Sequence, residues 1–279
     1  MPSQPTLLLT NDDGIDAPGL SALESVVRTQ FPNHRVVTVA PDRGRSECGH
    51  GVTQSRPLRV VQLDEDRYSI DGLPADCVRV ALLSICPEAT LVCSGINAGA
   101  NLGMDVLVSG TVAAAREAAI RGRDAVAISH YRHPDIPRTW DHVDRWLGPV
   151  WPRLELNAFP GAGHSSNQSS AAPNRPPSGA NPSTDAALAI SKRDGTSAPR
   201  WGRFINVNLP AIDPEGPTPR MVHCSVDPTP INPEPSIDDG LYTTEMDFHG
   251  RSRLPEHDVA ECFGGAITIS NLFPGIAAG

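Results

Sequence analysis

The sequence predicts an α/β fold built on a mostly parallel sheet, and three observations carry that reading. An apolar run, Leu7 to Leu9, ends at Asn11-Asp12-Asp13-Gly14. An amphipathic stretch and a second apolar run follow by residue 41, and later strands again give way to loops of small residues. Strand, loop, helix, strand at this spacing begins a βαβ unit, whose parallel sheet gathers functional residues beyond the strand ends.

Thr6 to Thr10 suits a buried strand, and Gly14 permits a tight turn behind it. Gly19 to Arg28 reads as a helix with Leu20, Leu23, Val26 and Val27 on or near one face, and Arg35 to Ala40 as a second strand ending at Pro41-Asp42. Pro57 to Ile70 alternates moderately at Leu58, Val60 and Leu63, which predicts an antiparallel excursion. Asp76 to Ser84 reads as a helix, and Thr90 to Ser94 as a strand running into Gly95-Ile96-Asn97-Ala98-Gly99. The Ala-rich stretch Thr111 to Ile120 is the clearest helix, with a strand at Asp124 to Ser129 behind it. Asp141 to Leu154 predicts another helix. Residues 160–199, mostly Gly, Ser, Asn, Ala and Pro with one helical turn at Asp185 to Ile190, bury too little apolar surface to order themselves. They read as a flexible insertion in a single domain of residues 1–279, whose core is 1–157 plus 200–279. Phe204 to Leu209 resumes as a strand, Pro210 to Pro235 as an irregular arm, Gly240 to His249 as hairpin material and Pro255 to Cys262 as a last short helix. No fixed-period repeat interrupts this order.

Composition narrows the function. With 279 residues, 39% of them apolar, and a formal charge of -9, the chain describes an acidic protein able to bury a sizeable core. Nucleic acid is an unsuitable general partner, because backbone binding needs a concentrated basic face. No stretch has the length of a membrane span, and the start lacks the basic region of a secretory signal. Six cysteines without a CxxC pair fit a reduced, cytoplasmic protein better than a disulfide scaffold.

The chemistry sits in four small-residue loops that a parallel sheet would bring together: Asn11 to Gly14, Asp42 to Gly51, Ser94 to Gly103, and Ser109-Gly110-Thr111. Adjacent carboxylates repel each other, so a cation is the simplest way to keep Asp12 and Asp13 both ionised in a crevice. With the Ser46 hydroxyl and the Asn97 amide oxygen they form an all-oxygen set suited to Mg²⁺ or Mn²⁺, while ligand type alone leaves Ca²⁺ open. Histidines and cysteines at zinc spacing are missing. Ser109, Gly110 and Thr111 precede the Ala-rich helix, where free N–H groups and hydroxyls would hold phosphate; ordinary helix capping is the alternative. Gly95, Gly99 and Gly103, interleaved with Asn97 and Asn101, suggest a further backbone cradle. His50 is a candidate to protonate a leaving group or touch phosphate, and Arg43 and Arg45 are candidate phosphate contacts, with an inert loop and solvated flanks as the alternatives. A Walker lysine and the Rossmann glycine series are both lacking, which sets aside P-loop hydrolysis and nicotinamide chemistry.

Together the segments TNDDGIDAPG, VAPDRGRSECGHGVT, DGLPADCVRVAL, SGINAGANLG and SGTVAAAREAAIRG resemble the SurE survival-protein family of metal-dependent nucleotidases and phosphatases. INVNLP and EHDVAECFGGAITISNLFP are later echoes, so the match is dense over the first 130 residues and sparse beyond. The resemblance implies a three-layer α/β sandwich around a mostly parallel sheet, with an irregular β-hairpin and C-terminal extension. It implies hydrolysis of nucleoside 5'-monophosphates with one divalent cation per subunit, in a homodimer or homotetramer. Carried over residue by residue, Asp12, Asp13, Ser46 and Asn97 would hold the metal. Asn11 would orient the acids or touch substrate, Asn97 would reach phosphate as well, and Ser109, Gly110 and Thr111 would hold the phosphate. Asp12, Asp13 and Asn97 would carry catalysis, with Asp12 preferred as proton acceptor. Where the family has Thr before the proline of its third segment this chain has Leu73, and Leu107-Val108 replaces an aromatic before Ser109. Ala113 stands where Gly is common, and His257 precedes Asp258 in place of Thr. These departures leave a specialised phosphatase for a sugar phosphate or biosynthetic phosphomonoester as one alternative. A catalytically silent, phosphate-binding oligomeric scaffold is the other.

Overall fold

In the computed structural model the described residues are 4–46, 48–154, 156, 201–231, 234–245 and 247–275. The expected insertion at 160–199, with its helical turn, lies outside them. Among the described residues there are eleven strands: β1 (Thr6–Thr10), β2 (Arg35–Pro41), β3 (Val60–Asp64), β4 (Arg67–Ile70), β5 (Leu91–Asn97), β6 (Asp124–His130), β7 (Phe204–Leu209), β8 (Met221–His223), β9 (Glu234–Asp238), β10 (Leu241–Glu245) and β11 (Ile267–Leu272). The helices are α1 (Pro18–Gln30), α2 (Pro74–Val80), α3 (Gly110–Ile120), α4 (Val143–Leu147) and α5 (Asp258–Phe263).

Nine strands make one sheet in the order β3-β4-β2-β1-β5-β6-β7-β11-β8. Only β3–β4 and β7–β11 pair antiparallel within it. The other neighbours run parallel. Continuous apolar runs suit such strands because both faces are covered. Leu7 and Leu9 point into one core with Leu20, Leu23, Val26 and Val27 of α1 and Val143, Trp146 and Leu147 of α4. Leu8 points into the other, with Cys77 and Val78 of α2 and Val112, Ala114, Ala115 and Ala118 of α3. The period of two in the strand thus sorts neighbouring leucines to opposite helical layers. Alanines on α3 let that helix lie close to the sheet.

The chain moves outward from β1 to β2 and then crosses back to place β5 on the other side of β1. Such a reversal, here at the carboxyl ends of β1 and β5, is the position where open α/β sheets bind ligands. Among the described residues no helix is long and apolar enough to cross a membrane.

Several expected elements differ in detail. The helix expected over Asp141 to Leu154 is split: α4 stops at Leu147, and a 3₁₀ turn covers Trp151–Arg153. Pro149 lacks an N–H and crowds the preceding turn, so one continuous helix cannot form there. The helix expected over Asp76 to Ser84 begins at Pro74 and passes into a π-helical turn, Ala81–Ile85. Within the expected irregular arm, β8 pairs with β11. Strand β11 is not marked in the sequence, because its Ile267 and Ile269 alternate with Thr268 and Ser270 that are equally buried. Burial on both faces removes the polar contrast that marks a half-exposed strand. Among the described residues, strands β9 and β10 pair only with each other and leave Ile237, Leu241 and Tyr242 exposed.

Candidate active site

The turn after β1 is built by Asn11. Its buried side chain donates to the Gly14 carbonyl (2.9 Å) and accepts from the Gly14 N–H (3.2 Å). Gly14 sits at φ +106, and a Cβ there would stand 3.0 Å from the Arg43 carbonyl carbon. Only glycine suits both constraints. Asn11 therefore shapes the turn that presents the acids, which is the orienting half of its expected role.

Asp12 is only 5% exposed and accepts a short hydrogen bond from the Thr111 hydroxyl. Burial pushes its carboxyl up to about 6, Asp13 adds to the rise, and the Thr111 hydroxyl and backbone N–H oppose it. Half-buried Asp13 accepts from the Ala98 N–H (3.4 Å), in the loop directly behind Asn97. Its carboxyl is also raised by burial. Among the described residues no arginine, lysine or histidine forms an ion pair with either acid. Two desolvated carboxylates without a counter-charge are costly to ionise together. A hard cation suits that deficit.

The first turn of α3 closes the other wall. A Cβ on Gly110 would lie 2.8 Å from both Cβ and Oδ2 of Asp12, so a larger residue cannot occupy this position without moving the acid. The Ser109 hydroxyl accepts from the Val112 N–H (3.1 Å), an ordinary N-cap. Capping and site-building coexist here: Ser109 starts the helix, while Thr111 holds Asp12.

Asn97 ends β5, and its amide nitrogen donates to the Gly99 carbonyl (3.0 Å), leaving the amide oxygen as the free donor atom for a cation. The second loop reaches the acids mainly through backbone. The Arg45 N–H donates to the Asp12 carbonyl (2.7 Å), and the Gly49 N–H donates to the Val108 carbonyl (3.0 Å) beside the α3 turn. Ser46 is exposed, and the structure gives its hydroxyl no bond to either acid.

Three expected contacts are turned elsewhere. Arg45 and Arg43 lie against Asp42 at 2.9 and 3.5 Å. His50 bonds Glu117 of α3 at 2.9 Å. That carboxylate also accepts from Arg79 and Arg121, each at 2.7 Å. Burial alone would raise Glu117, but His50, Arg79 and Arg121 outweigh it and hold the carboxyl down at about 2. His50 thus anchors the second loop to α3. A lone histidine in a sequence gives no sign of a carboxylate 67 residues away.

Other supports were not legible in the sequence. Asn101 is gripped from β7, where its N–H donates to Asn208 (2.9 Å) and its carbonyl accepts from Asn206 (2.8 Å) and Asn208 (3.0 Å). The expected cradle asparagine is therefore spent on the sheet. Fully buried Asp258 accepts from the Gly103 N–H (2.9 Å), and Arg251 pairs with Asp105 (2.8 Å). Both clamp the segment between Asn97 and Ser109 from the far end of the chain. No local motif announces contacts across 155 and 146 residues.

Comparison with known proteins agrees with this geometry. The family model described as "Survival protein SurE" matches residues 7–226. A protein of Nostoc sp. provisionally named a 5'-nucleotidase is 37% identical over 96% of this chain and 99% of its own. A 5'-nucleotidase SurE of Pelobacter propionicus is 51% identical over 44% of this chain and 49% of its own. The crystal structure of the SurE protein from Aquifex aeolicus superposes with a TM-score of 0.70, at 26% identity, over 98% of this chain and 95% of that one.

Proposed function

We propose that this chain, which belongs to the SurE family, hydrolyses nucleoside 5'-monophosphates to nucleoside and phosphate with a divalent cation, Mg²⁺ or Mn²⁺, held by Asp12 and Asp13. One observation carries the reading: buried Asp12 and half-buried Asp13, with no counter-charge among the described residues, lie by the first turn of a helix at the switch point of the sheet. The names borne by its Nostoc and Pelobacter relatives support the substrate class.

The Asn97 oxygen would add to the oxygen shell, and Ser46, on the exposed second loop, would be its hydroxyl ligand. A bound cation would supply Lewis-acid polarisation of the phosphoryl group. The chain's own residues do the rest. Backbone N–H groups of the α3 first turn, with the helix dipole behind them, favour the charge that develops on phosphoryl oxygens. Thr111 keeps Asp12 in register with that turn. Asp12, bonded to Thr111 of the α3 turn, is the acid assigned to accept a proton. Asp13, less buried, is the acid that stays a ligand. Exposed Ile237, Leu241 and Tyr242 on the β9–β10 hairpin support assembly into a homo-oligomer.

The test is phosphate release from nucleoside monophosphates and from sugar phosphates, with and without added Mg²⁺ or Mn²⁺. Nucleotide turnover that needs the cation is expected. Faster turnover of sugar phosphates would move the substrate class, and a folded, metal-loaded chain inert towards every phosphomonoester would overturn the hydrolase reading.

A further inference from the structure

The geometry points to a second anion subsite beside Asn97, formed by the Arg132 guanidinium on the face of Trp140, that takes a second phosphate carried by the alcohol part of the substrate. It rests on the hydrolase reading above.

Position is the first argument. Strand β6 lies next to β5, with Ser129 opposite Asn97. Arg132 follows three residues later, on the same carboxyl edge of the sheet. Trp140 reaches the same place from the loop before α4. A Cβ on Gly19 would overlap the Ile96 carbonyl and stand 3.1 Å from Trp140 Cη2. Helix α1, the last turn of β5 and the indole edge therefore meet at one point, one residue from Asn97.

Charge is the second. The Arg132 guanidinium lies 4.1 Å from the Trp140 ring centroid and donates to the Thr139 carbonyl at 3.2 Å. Among the described residues no carboxylate pairs with it. Arg138 is the charged neighbour that acts on it, and it is positive; burial, then Arg138, draw Arg132 down to about 10. Arg251 and Arg79, also partly buried, are compensated by Asp105 and Glu117, while Arg116 has no carboxylate partner among the described residues and donates instead to the Val106 carbonyl. His130 and His142, joined Nε2 to Nε2 at 2.7 Å beside Trp140, are drawn down by burial to about 3 and about 4 and stay neutral. In a chain of net charge -9, an uncompensated and half-desolvated guanidinium at the ligand edge of the sheet calls for an anion.

Donor geometry selects the anion. A guanidinium has five N–H donors in a planar fork that matches phosphate, and the Thr139 carbonyl takes only one. The cation covers one face of the indole, and that face offers no free platform for a nucleobase. A phosphomonoester with a second phosphate elsewhere on its alcohol meets both sites at once. Nucleoside bisphosphates and sugar bisphosphates share that chemistry.

The experiment compares adenosine 3',5'-bisphosphate with adenosine 5'-monophosphate, and fructose 1,6-bisphosphate with fructose 6-phosphate, by steady-state kinetics and by calorimetric binding with Mg²⁺ present. At low salt the wild-type chain should favour one bisphosphate over its monophosphate by about tenfold in KM and Kd. That ratio should collapse towards unity in Arg132→Gln and persist in part in Arg132→Lys, which keeps the charge but not the planar fork. The pair showing the preference identifies the source of the second phosphate. A wild-type ratio near unity, or a ratio unchanged in Arg132→Gln, overturns the subsite. If the Kd ratio behaves as expected but nothing is turned over, the hydrolase reading fails and the subsite stands.

Discussion

Replacing Asp12 by Asn should stabilise the metal-free protein, although it removes a residue at the centre of the site. The carboxyl is 5% exposed and raised from its ordinary 3.8 to about 6, chiefly by burial. Ionising it therefore costs the folded chain ~3 kcal/mol more than the unfolded one. At about pH 4 the folded state keeps its proton and the penalty is absent. As pH rises towards about 6 the unfolded state loses its proton first, so stability falls and stays lower above that point. The amide of the Asp12→Asn variant would still accept from Thr111 but would never ionise. In EDTA at about pH 8, the variant should thus unfold up to ~3 kcal/mol harder than wild type, or about 6–10 °C higher. The difference should vanish near pH 4, roughly the ordinary carboxylate range. Added Mg²⁺ or Mn²⁺ should raise the wild-type unfolding temperature and leave the variant nearly unmoved. Thermal unfolding followed by circular dichroism across pH measures all three. A variant less stable than wild type in EDTA at high pH, or one with the same pH slope, would refute the claim of a buried, uncompensated carboxylate.

Gly110→Ala puts a methyl 2.8 Å from Asp12 Cβ and Oδ2, so kcat/KM should fall by about a hundredfold and the overlap should cost about 1–3 kcal/mol of stability. Equal kinetics in that variant would show that the α3 turn does not crowd the acid. Glu117→Gln leaves Arg79 and Arg121 without their shared buried carboxylate and should cost ~3 kcal/mol by denaturant unfolding. Because the Glu117 carboxyl is depressed to about 2, its contribution is present above the ordinary carboxylate range and is lost as pH falls towards about 2. In the variant, that part of the acid unfolding curve should flatten.

How much of this was readable from residues alone depends on where the partners lie. Leu7 to Leu9, the α1 stripe and the Ala-rich α3 are local patterns, and each predicts its element. Asp12, Asp13 and Gly110 were legible because acids and a glycine stand at strand and helix ends, where the topology brings them together. The bond His50 makes is not legible for the opposite reason, since its partner Glu117 lies on another helix. Ser109 and Thr111 stand two residues apart yet divide their work, one capping α3 and the other holding Asp12. Strand β11 and the Asp258 and Arg251 clamps come from the distal chain, and only tertiary packing shows them reaching the site loops.

The most direct test of the metal-site claim is a titration of metal-free protein with Mn²⁺, following bound ion by electron paramagnetic resonance and phosphate release from a nucleoside monophosphate in the same samples. Activity should rise in proportion to a single bound ion per chain, and Asp13→Asn should weaken both together. Full phosphate release in EDTA, or tight Mn²⁺ binding that survives loss of Asp13 and Asp12 together, would contradict it.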